Sequence, residues 1–258
     1  MVQFDQFTGG LHPGAVEHEH VRAWKIVLSE RMAEASVNQR LSGISSFYRY
    51  INQHFAYLRD DNPADGVKRA PVNPYGKATR LIEGQDQRLL QSIDTATVEG
   101  KRDYAIILLF LTTAIRLSAV ASATPKDVRR QGDVVFFQYR NKGGEDRQVR
   151  LPGMVARALR DYLNARRVES ERLFGMTRRQ IQEMVKRRCN HVFGPGHGIT
   201  PHSLRHTAAM NLHDDGATIA EIRELLGHKS SRVTLVYLDH METVNTEKLT
   251  DRLAQRYG

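Results

Sequence analysis

The densest group of polar residues that could do chemistry is the stretch His202-Ser203-Leu204-Arg205-His206. On a helix, His202 shares a face with Arg205 and His206, which follow it by three and four residues. Histidine carries a proton near neutral pH, and arginine presents a planar set of donors to phosphate oxygens. An isolated pattern of this kind is more often the solvated start of a helix, so its meaning depends on partners elsewhere in the chain.

His202 and His206 also have the spacing of two metal ligands on one helix. However, Ser203 stands where a zincin-type helix has its glutamate. The chain has one cysteine, Cys189, which excludes an internal disulfide framework and a cysteine-based zinc finger. We therefore expect no metal site and no cofactor. A metalloprotein that uses His202, His206 and His228 is kept as an alternative.

Four more residues suit phosphate chemistry, although each has an ordinary structural explanation. Arg116 follows an apolar helix and could contact that helix's C-terminal dipole. Lys142 lies in a predicted turn, Asn-Lys-Gly-Gly, where a lysine is usually solvated. Gly227 is predicted to be a helix C′ residue, which places His228 in an exposed turn. Tyr237 lies among aliphatic residues and could be a core aromatic.

The elements that must position these residues are predicted from hydrophobic periodicity. In the N-terminal part, the clearest helix begins near Ser36 as a plausible N-cap. Its apolar residues recur every three to four positions: Leu41, Ile44, Phe47, Tyr48 and Ile51. The first dozen residues contain Thr8-Gly9-Gly10 and Pro13-Gly14, and we expect them to form a loose arm.

The rest of the chain combines helices with one β-hairpin. Residues 133–140 and 147–151 read as two strands joined by a turn at 141–144. The predicted helical segments are 87–93, 103–113, 154–168, 178–189, 201–213, 219–226 and 231–237. A last amphipathic stretch, 246–257, places Leu249 and Leu253 on one face.

This pattern predicts a mainly α protein with a small antiparallel β patch. Residues 68–77 hold two prolines, a glycine and three basic residues without an apolar period. They indicate two domains: a helical domain over residues 1–70, a linker over 71–77, and a larger domain over 78–258. The length of 258 residues suits such an arrangement.

The charge distribution favours a nucleic-acid partner. The net charge is +9, and residues 78–258 carry 29 basic against 21 acidic side chains, whereas residues 1–77 carry 9 against 8. A basic surface attracts phosphate backbones and releases their counterions. The longest apolar run, Tyr104–Ile115, is too short to span a bilayer. With no basic-then-apolar start either, we expect a soluble cytoplasmic protein associated with the nucleoid and no membrane partner.

Taken in order, several segments resemble the tyrosine recombinase (phage integrase) family. Thr-Thr-Ala-Ile-Arg-Leu-Ser over residues 112–118 is similar to its first arginine box, and residues 141–152 to its lysine hairpin. Pro-His-Ser-Leu-Arg-His-Thr over 201–207 is similar to its HxLRH box, and residues 225–237 to its LGH…Y box. Residues 38–67 resemble its N-terminal core-binding domain. Each motif alone is weak, but the ordered set is highly specific.

The resemblance implies a helical core-binding (SAM-like) domain, possibly a short one, followed by a tyrosine recombinase catalytic domain. It implies DNA strand cleavage and rejoining through a 3′-phosphotyrosine, with Holliday-junction exchange and Tyr237 as the nucleophile. Arg116 and Arg205 would neutralise charge on the phosphate oxygens. His202 would take the tyrosine proton, and Lys142 would protonate the departing 5′-oxygen.

The resemblance also implies supporting residues and partners. His228 would hydrogen-bond the phosphate, and His206 would support the site from behind. The expected DNA-binding residues are Arg40, Arg49, Lys68, Arg69, Lys77, Arg140 and Arg147. The expected partner is double-stranded DNA with short inverted-repeat core sites. Four copies would assemble on two duplexes, with residues 246–257 docking on a neighbouring copy.

Ala119 and a short N-terminal domain depart from the family pattern and motivate an alternative. Ala119 stands where the family usually has an acidic residue, and Thr-Ala-Ile-Arg, with Ala114, replaces the usual Thr-Gly-Leu-Arg. The chain is expected to be a Xer-like or resolvase-like member without an arm-binding domain. The alternative is a catalytically weak or inactive member that binds DNA in an architectural or regulatory role. A topoisomerase or hairpin-forming resolvase with the same chemistry is a further one.

Overall fold

The computed structural model describes residues 1–71, 79–140, 144–166 and 170–227. The chain divides into two compact units, Met1–Pro74 and Tyr75–Gly258. The predicted fold class is confirmed, because the elements are helices accompanied by a small antiparallel sheet. Residues 72–77 of the predicted linker lie outside the described residues. The assignment of residues 1–70 to core binding and 78–258 to catalysis stays a prediction.

The N-terminal unit is built from helices around one apolar core. Its helices are α1 (Val2–Phe7), α2 (His18–Arg31) and α3 (Glu34–His54), with a short 3₁₀ turn at Pro13–Ala15. The predicted stripe on α3 faces this core, where Leu41, Ile44 and Tyr48 are each 1% exposed. Helical periodicity in the sequence therefore located the buried face of α3.

Two predictions about the N-terminal unit are wrong. The first residues are not a loose arm: α1 buries Phe4 to 2% exposure, with its ring centroid 4.9 Å from that of Trp24. Six residues are too few to establish a helical period, so only tertiary packing shows that Phe4 is buried. The N-cap of α3 is the extended Ala33, three residues before the expected Ser36, and the helix begins at Glu34.

The C-terminal unit contains most of the helices and the sheet. Its helices are α4 (Gln85–Gln91), α5 (Val98–Thr113), α6 (Leu117–Ser122), α7 (Gly153–Ala165), α8 (Arg178–Phe193), α9 (Pro201–Asp214) and α10 (Ile219–Leu226). A 3₁₀ turn at Pro125–Asp127 precedes the sheet. The predicted helix at 231–237 and the stretch 246–257 lie outside the described residues.

The sheet has three antiparallel strands in the order β1 (Val128–Gln131), β2 (Val134–Arg140) and β3 (Asp146–Leu151). The two predicted strands are confirmed as β2 and β3, paired in register with Tyr139 opposite Arg147. Strand β1 was not predicted, because Val-Arg-Arg-Gln lacks the alternation of a half-buried strand.

Helix α5 is the centre of the C-terminal unit. Ile106, Ile107 and Phe110 are each fully buried, so the helix is surrounded on all sides by other elements. Near its start, the buried carboxylate of Asp103 accepts charge-assisted hydrogen bonds from Arg102 of the same helix (2.8 Å) and from Arg188 (2.8 Å), and the second bond ties α8 to α5. Among the described residues, no helix is long and apolar enough to cross a membrane.

Candidate active site

Helix α9 carries the polar stretch from His202 to His206. It starts at Pro201 because Thr200 and Ser203 form a reciprocal cap, in which the Ser203 amide donates to Thr200 Oγ1 (3.2 Å) and the Thr200 amide to Ser203 Oγ (3.1 Å). The cap fixes the first turn, so the side chains of His202 and Arg205 project from a rigid element. The Leu81 amide donates to Thr207 Oγ1 in the middle of α9 (2.9 Å) and thereby ties the segment before α4 to α9.

Arg205 is buried and holds two other segments together. Arg205 is only 5% exposed. Its guanidinium donates to the carbonyl of Ala114 and to the carbonyl of Leu226 (2.6 Å). A buried guanidinium needs such acceptors, because an unpaired buried charge is very costly. These contacts orient Arg205 in advance of any ligand.

Arg116 contacts the end of a helix other than the one that it follows in sequence. Helix α5 ends at Thr113, Ala114 turns the chain, and Arg116 sits in an extended conformation immediately before α6. Its Nη2 donates to the Gly227 carbonyl at 3.2 Å. This contact directs the Arg116 side chain towards the end of α10, and its phosphate-binding role stays a prediction.

Three guanidinium groups converge on the C-terminal end of α10. Arg147, Arg205 and Arg116 donate to the carbonyls of Glu224, Leu226 and Gly227, respectively. The last carbonyls of a helix have no partner within the helix and carry partial negative charge. Gly227 ends α10 with φ 61°, which confirms the predicted C′ glycine. This end of α10 is therefore the point at which distant parts of the unit meet.

His202 lies in the first turn of α9 and retains exposed surface. Its pKa is lowered from the usual histidine value, first by desolvation from the surrounding protein and then by the positive charges of Arg205 and Arg116. The same two arginines thus act electrostatically on one imidazole. At neutral pH this imidazole is mainly neutral and able to accept a proton.

His206 follows Arg205 and is buried, with 5% exposure. A buried imidazole can support the side chains around it. The placement of His206 agrees with a supporting role, which stays a prediction. Ala119, at the position where an acidic residue was expected from the family pattern, lies in α6 at 4% exposure within the apolar core.

Several residues predicted for the site, for DNA binding or for assembly lie outside the described residues: Lys142, His228, Tyr237, Lys77 and the segment 246–257. The structure describes the chain on either side of Lys142, up to Arg140 and from Gly144, and it describes α10 up to Gly227, the residue before His228 in sequence.

The expected DNA-binding residues of the N-terminal unit do not all share one face. Arg40 and Arg49 are nine residues apart on α3, which puts them on opposite sides of the helix at about 100° per residue. Lys68 and Arg69 are exposed. The chain at this point is held by the Lys25 ammonium, which donates to the Lys68 carbonyl at 2.7 Å. The exposed cations therefore lie on more than one side of the unit.

In the C-terminal unit, the two expected DNA-binding arginines differ. Arg140 is exposed and donates to the Gly144 carbonyl at 3.0 Å. Arg147 is engaged with α10, as described above. A basic surface on α8 was not predicted, although this helix contains five Lys and Arg residues against one acidic residue, which is a signal that the sequence offers. Its exposed cations are Arg178, Arg179, Lys186 and Arg187.

The metal alternative finds no support among the residues that are described. Within those ranges, no group of three or more His, Cys, Asp or Glu side chains is arranged to hold a metal ion. His228, one of the three histidines of that alternative, lies outside them.

Ala114 adopts the left-handed conformation, with φ 49° and ψ 29°. This conformation costs a non-glycine residue about 1–2 kcal/mol. Replacing Ala114 by glycine relieves that strain but removes a buried methyl group worth about 0.8 kcal/mol and adds freedom to the unfolded chain. Because these opposing terms nearly cancel, we expect Ala114→Gly to change the free energy of unfolding by less than about 1 kcal/mol.

The matched control is Ala105→Gly. Ala105 lies in the interior of α5, the helix that Ala114 directly follows, and is as fully buried as Ala114. There the lost methyl group and the helix propensity of glycine act in the same direction, so the expected loss is about 2 kcal/mol. Urea denaturation of both variants measures the difference. Equal losses would contradict the strain at Ala114.

The chain is similar in sequence to a known protein family and to several of its members. Residues 79–243 match the model of the phage integrase family. The tyrosine recombinase XerC of Pelobacter propionicus is 28% identical over 253 residues, which cover 94% of this chain and 78% of the relative. The tyrosine recombinase XerA of Thermococcus kodakarensis is 30% identical over 211 residues, which cover 77% of this chain and 73% of the relative.

Two solved structures share the fold. The XerH site-specific recombinase bound to palindromic difH substrate, in a post-cleavage complex, has a TM-score of 0.73 at 18% identity, covering 98% of this chain and 76% of that chain. The Tn1549 transposon integrase in complex with transposon right end DNA has a TM-score of 0.72 at 20% identity, covering 98% of this chain and 90% of that chain.

Proposed function

Because the chain belongs to the phage integrase family, we propose that it is a site-specific tyrosine recombinase that cleaves and rejoins DNA strands through a 3′-phosphotyrosine intermediate. One observation carries the proposal. Arg116 and Arg205, far apart in sequence, are directed to the same end of α10, and both act on the imidazole of His202. Two guanidinium groups beside a proton acceptor suit the transition state of phosphoryl transfer.

In the proposed cleavage step, the phenolic oxygen of Tyr237 attacks the scissile phosphorus. A bond forms between this oxygen and phosphorus, and the bond from phosphorus to the 5′-oxygen breaks. His202 accepts the tyrosine proton, and Lys142 donates a proton to the departing 5′-oxygen. Rejoining is the reverse step with the 5′-hydroxyl of another strand. One phosphate ester replaces another throughout, so the exchange needs no ATP.

Charge stabilisation is the proposed task of the arginines. Negative charge develops on the non-bridging phosphate oxygens, where Arg116 and Arg205 would donate charge-assisted hydrogen bonds, with His228 as a further donor. Donors that are already oriented stabilise such charge without reorganising during the reaction. The contacts of Arg205 with Ala114 and Leu226 support this role, because they hold the guanidinium in place. The arginines supply positive charge without a metal ion.

The proposed partner is double-stranded DNA with short inverted repeats. The solved relatives include a XerH complex with palindromic difH and a lambda integrase dimer on a COC′ core site. By analogy, four copies of this chain would assemble on two duplexes, with residues 246–257 docking on a neighbour. Such an enzyme would act on chromosomal or plasmid DNA in the cytoplasm.

Exposed cations are the proposed contacts to the DNA backbone. Contacts of this kind fix the position of a protein on DNA and make its affinity depend on salt. The proposed residues are Arg40, Arg49, Lys68, Arg69, Lys77 and Arg140, joined by the exposed cations of α8.

Trapping of the covalent intermediate tests this function. The full chain is incubated with a nicked duplex built from the inverted repeats that flank its gene, so that loss of a short 5′ fragment prevents rejoining. We expect a covalent protein–DNA adduct on a denaturing gel, attached through the peptide containing Tyr237, with equal yield in EDTA. Binding without an adduct would instead establish the inactive DNA-binding member that Ala119 suggests.

The pKa of His202 is a separate test of the site. In the DNA-free protein, NMR titration of the imidazole should give a pKa below that of the same residue in urea, which is about 6.5. The folded state then binds fewer protons than the unfolded state, so His202 reduces stability as the pH falls below about 6.5. Arg116→Ala should raise this pKa part of the way, since desolvation remains. A pKa equal to the value in urea would contradict the described environment.

A further inference from the structure

Arg147 lies on the inner face of the β2–β3 hairpin. Residues along β3 alternate between the two faces of the sheet, and Arg147, Val149 and Leu151 share the more buried one. The Arg147 side chain is 26% exposed. By contrast, Arg150 lies on the opposite, exposed face of the same strand. The two arginines therefore have the same charge and strand but different surroundings.

The Arg147 guanidinium binds the C-terminal end of α10. Its Nη1 donates to the Glu224 carbonyl at 2.9 Å and lies 3.5 Å from the Glu224 carboxylate. The carboxylate is 77% exposed, so the ion pair contributes little. The carbonyl is part of the negative end of the helix dipole and is the stronger anchor.

We propose that Arg147 is a positioning residue, which locks strands β2 and β3 to the end of α10, the segment of backbone that also binds Arg205 and Arg116. This inference rests on the proposed function. Lys142 lies between β2 and β3, five residues before Arg147. The contact with Glu224 lies at the start of β3, so it joins this end of the described strands to α10.

The anchor point on α10 is also held by the two other arginines. The Glu224 carbonyl accepts the Gly227 amide at 3.1 Å as well as Arg147. The next carbonyls bind Arg205 and Arg116. The hairpin, α9 and the α5–α6 junction therefore share one short segment of backbone. A shift of the hairpin is transmitted to that segment, which His228 directly follows in sequence.

Kinetics can separate positioning from DNA contact. Single-turnover cleavage of the nicked duplex at saturating DNA measures the chemical step, and Kd measured across salt concentrations measures phosphate contacts. For Arg147→Ala we expect a cleavage rate at least tenfold lower, with Kd within twofold and an unchanged salt slope. Arg147→Lys should recover part of the rate, because an ammonium still reaches a carbonyl. An unchanged rate together with a weaker Kd and a shallower salt slope would overturn the proposal.

Arg150→Ala is the matched control, since it removes the same charge from the same strand. We expect it to leave the single-turnover rate within twofold of the wild type. Glu224→Ala should also stay within twofold, because the main-chain acceptor remains. A loss in Glu224→Ala as large as that in Arg147→Ala would overturn the assignment of the carbonyl as the anchor.

Hydrogen exchange gives a readout that does not depend on catalysis. In the DNA-free full chain, Arg147→Ala should speed amide exchange in the peptide that ends α10, residues 219–227, at least threefold, and Arg150→Ala should not. Unchanged exchange in Arg147→Ala would overturn the coupling. If the wild type forms no covalent adduct, the proposed function fails while this measurement still decides whether Arg147 holds the hairpin to α10.

Discussion

Tyr237→Phe is expected to abolish the covalent adduct while DNA binding persists. The substitution removes one oxygen atom, the proposed nucleophile, and leaves the size of the side chain almost unchanged. Without this oxygen there is no phosphotyrosine ester to store the energy of the broken bond. We expect the cleavage rate to fall by at least about a thousandfold, which corresponds to about 4 kcal/mol in the activation barrier. Kd for the duplex should stay within about twofold.

The measurement is adduct yield on a denaturing gel, alongside Kd by fluorescence anisotropy. Tyr104→Phe, on α5, serves as the control because it removes an equivalent hydroxyl elsewhere in the C-terminal unit. That variant should cleave like the wild type. A normal adduct yield from Tyr237→Phe would assign the nucleophile to another residue and remove the central element of the mechanism.

Arg205→Ala is expected to impair both cleavage and folding. Loss of one oriented donor to a developing oxyanion typically slows a reaction by about 10²–10³-fold. The same substitution leaves the buried carbonyls of Ala114 and Leu226 without this donor, and each unsatisfied buried acceptor costs about 1–3 kcal/mol. We therefore expect the free energy of unfolding to fall by about 2–6 kcal/mol for the two acceptors together. Urea denaturation and single-turnover cleavage measure the two effects.

Arg116→Ala separates chemistry from stability. Arg116 is half-buried and retains access to water, so its removal should lower the free energy of unfolding by about 1 kcal/mol or less. Its cleavage rate should nevertheless fall about as far as that of Arg205→Ala. For Arg205, the contradicting result is a loss of cleavage below about tenfold in folded Arg205→Ala, which corresponds to about 1.4 kcal/mol in the activation barrier. Such a small loss would remove Arg205 from the residues proposed to bind the phosphate.

Arg205→Lys tests the geometry of the guanidinium. Lysine keeps the positive charge but has no planar set of donors that could reach two carbonyls at once. We expect a stability between those of the wild type and Arg205→Ala, with cleavage still reduced at least tenfold. Cleavage at the wild-type rate would show that charge alone suffices at this position.

Local structure in this protein could largely be predicted from the sequence. The stripe on α3, the two strands of the hairpin and the span of α10 all follow from patterns within a few residues, because burial of one face imposes a period on the chain. Gly227 was also predictable, since the end of a helix favours a residue that tolerates positive φ. In contrast, Phe4 and β1 lack such a period, and both were missed.

The sequence by itself determined which chemical groups are present and in what order: two arginines, a histidine pair and a tyrosine that fit phosphoryl transfer. Only the tertiary structure decided what the arginines touch. Arg116 turns to Gly227, and Arg147 binds α10. The acceptors are backbone carbonyls distant in sequence, and every residue type has a carbonyl. No side-chain pattern can therefore mark them, and they become visible only when packing brings the end of α10 to these guanidinium groups.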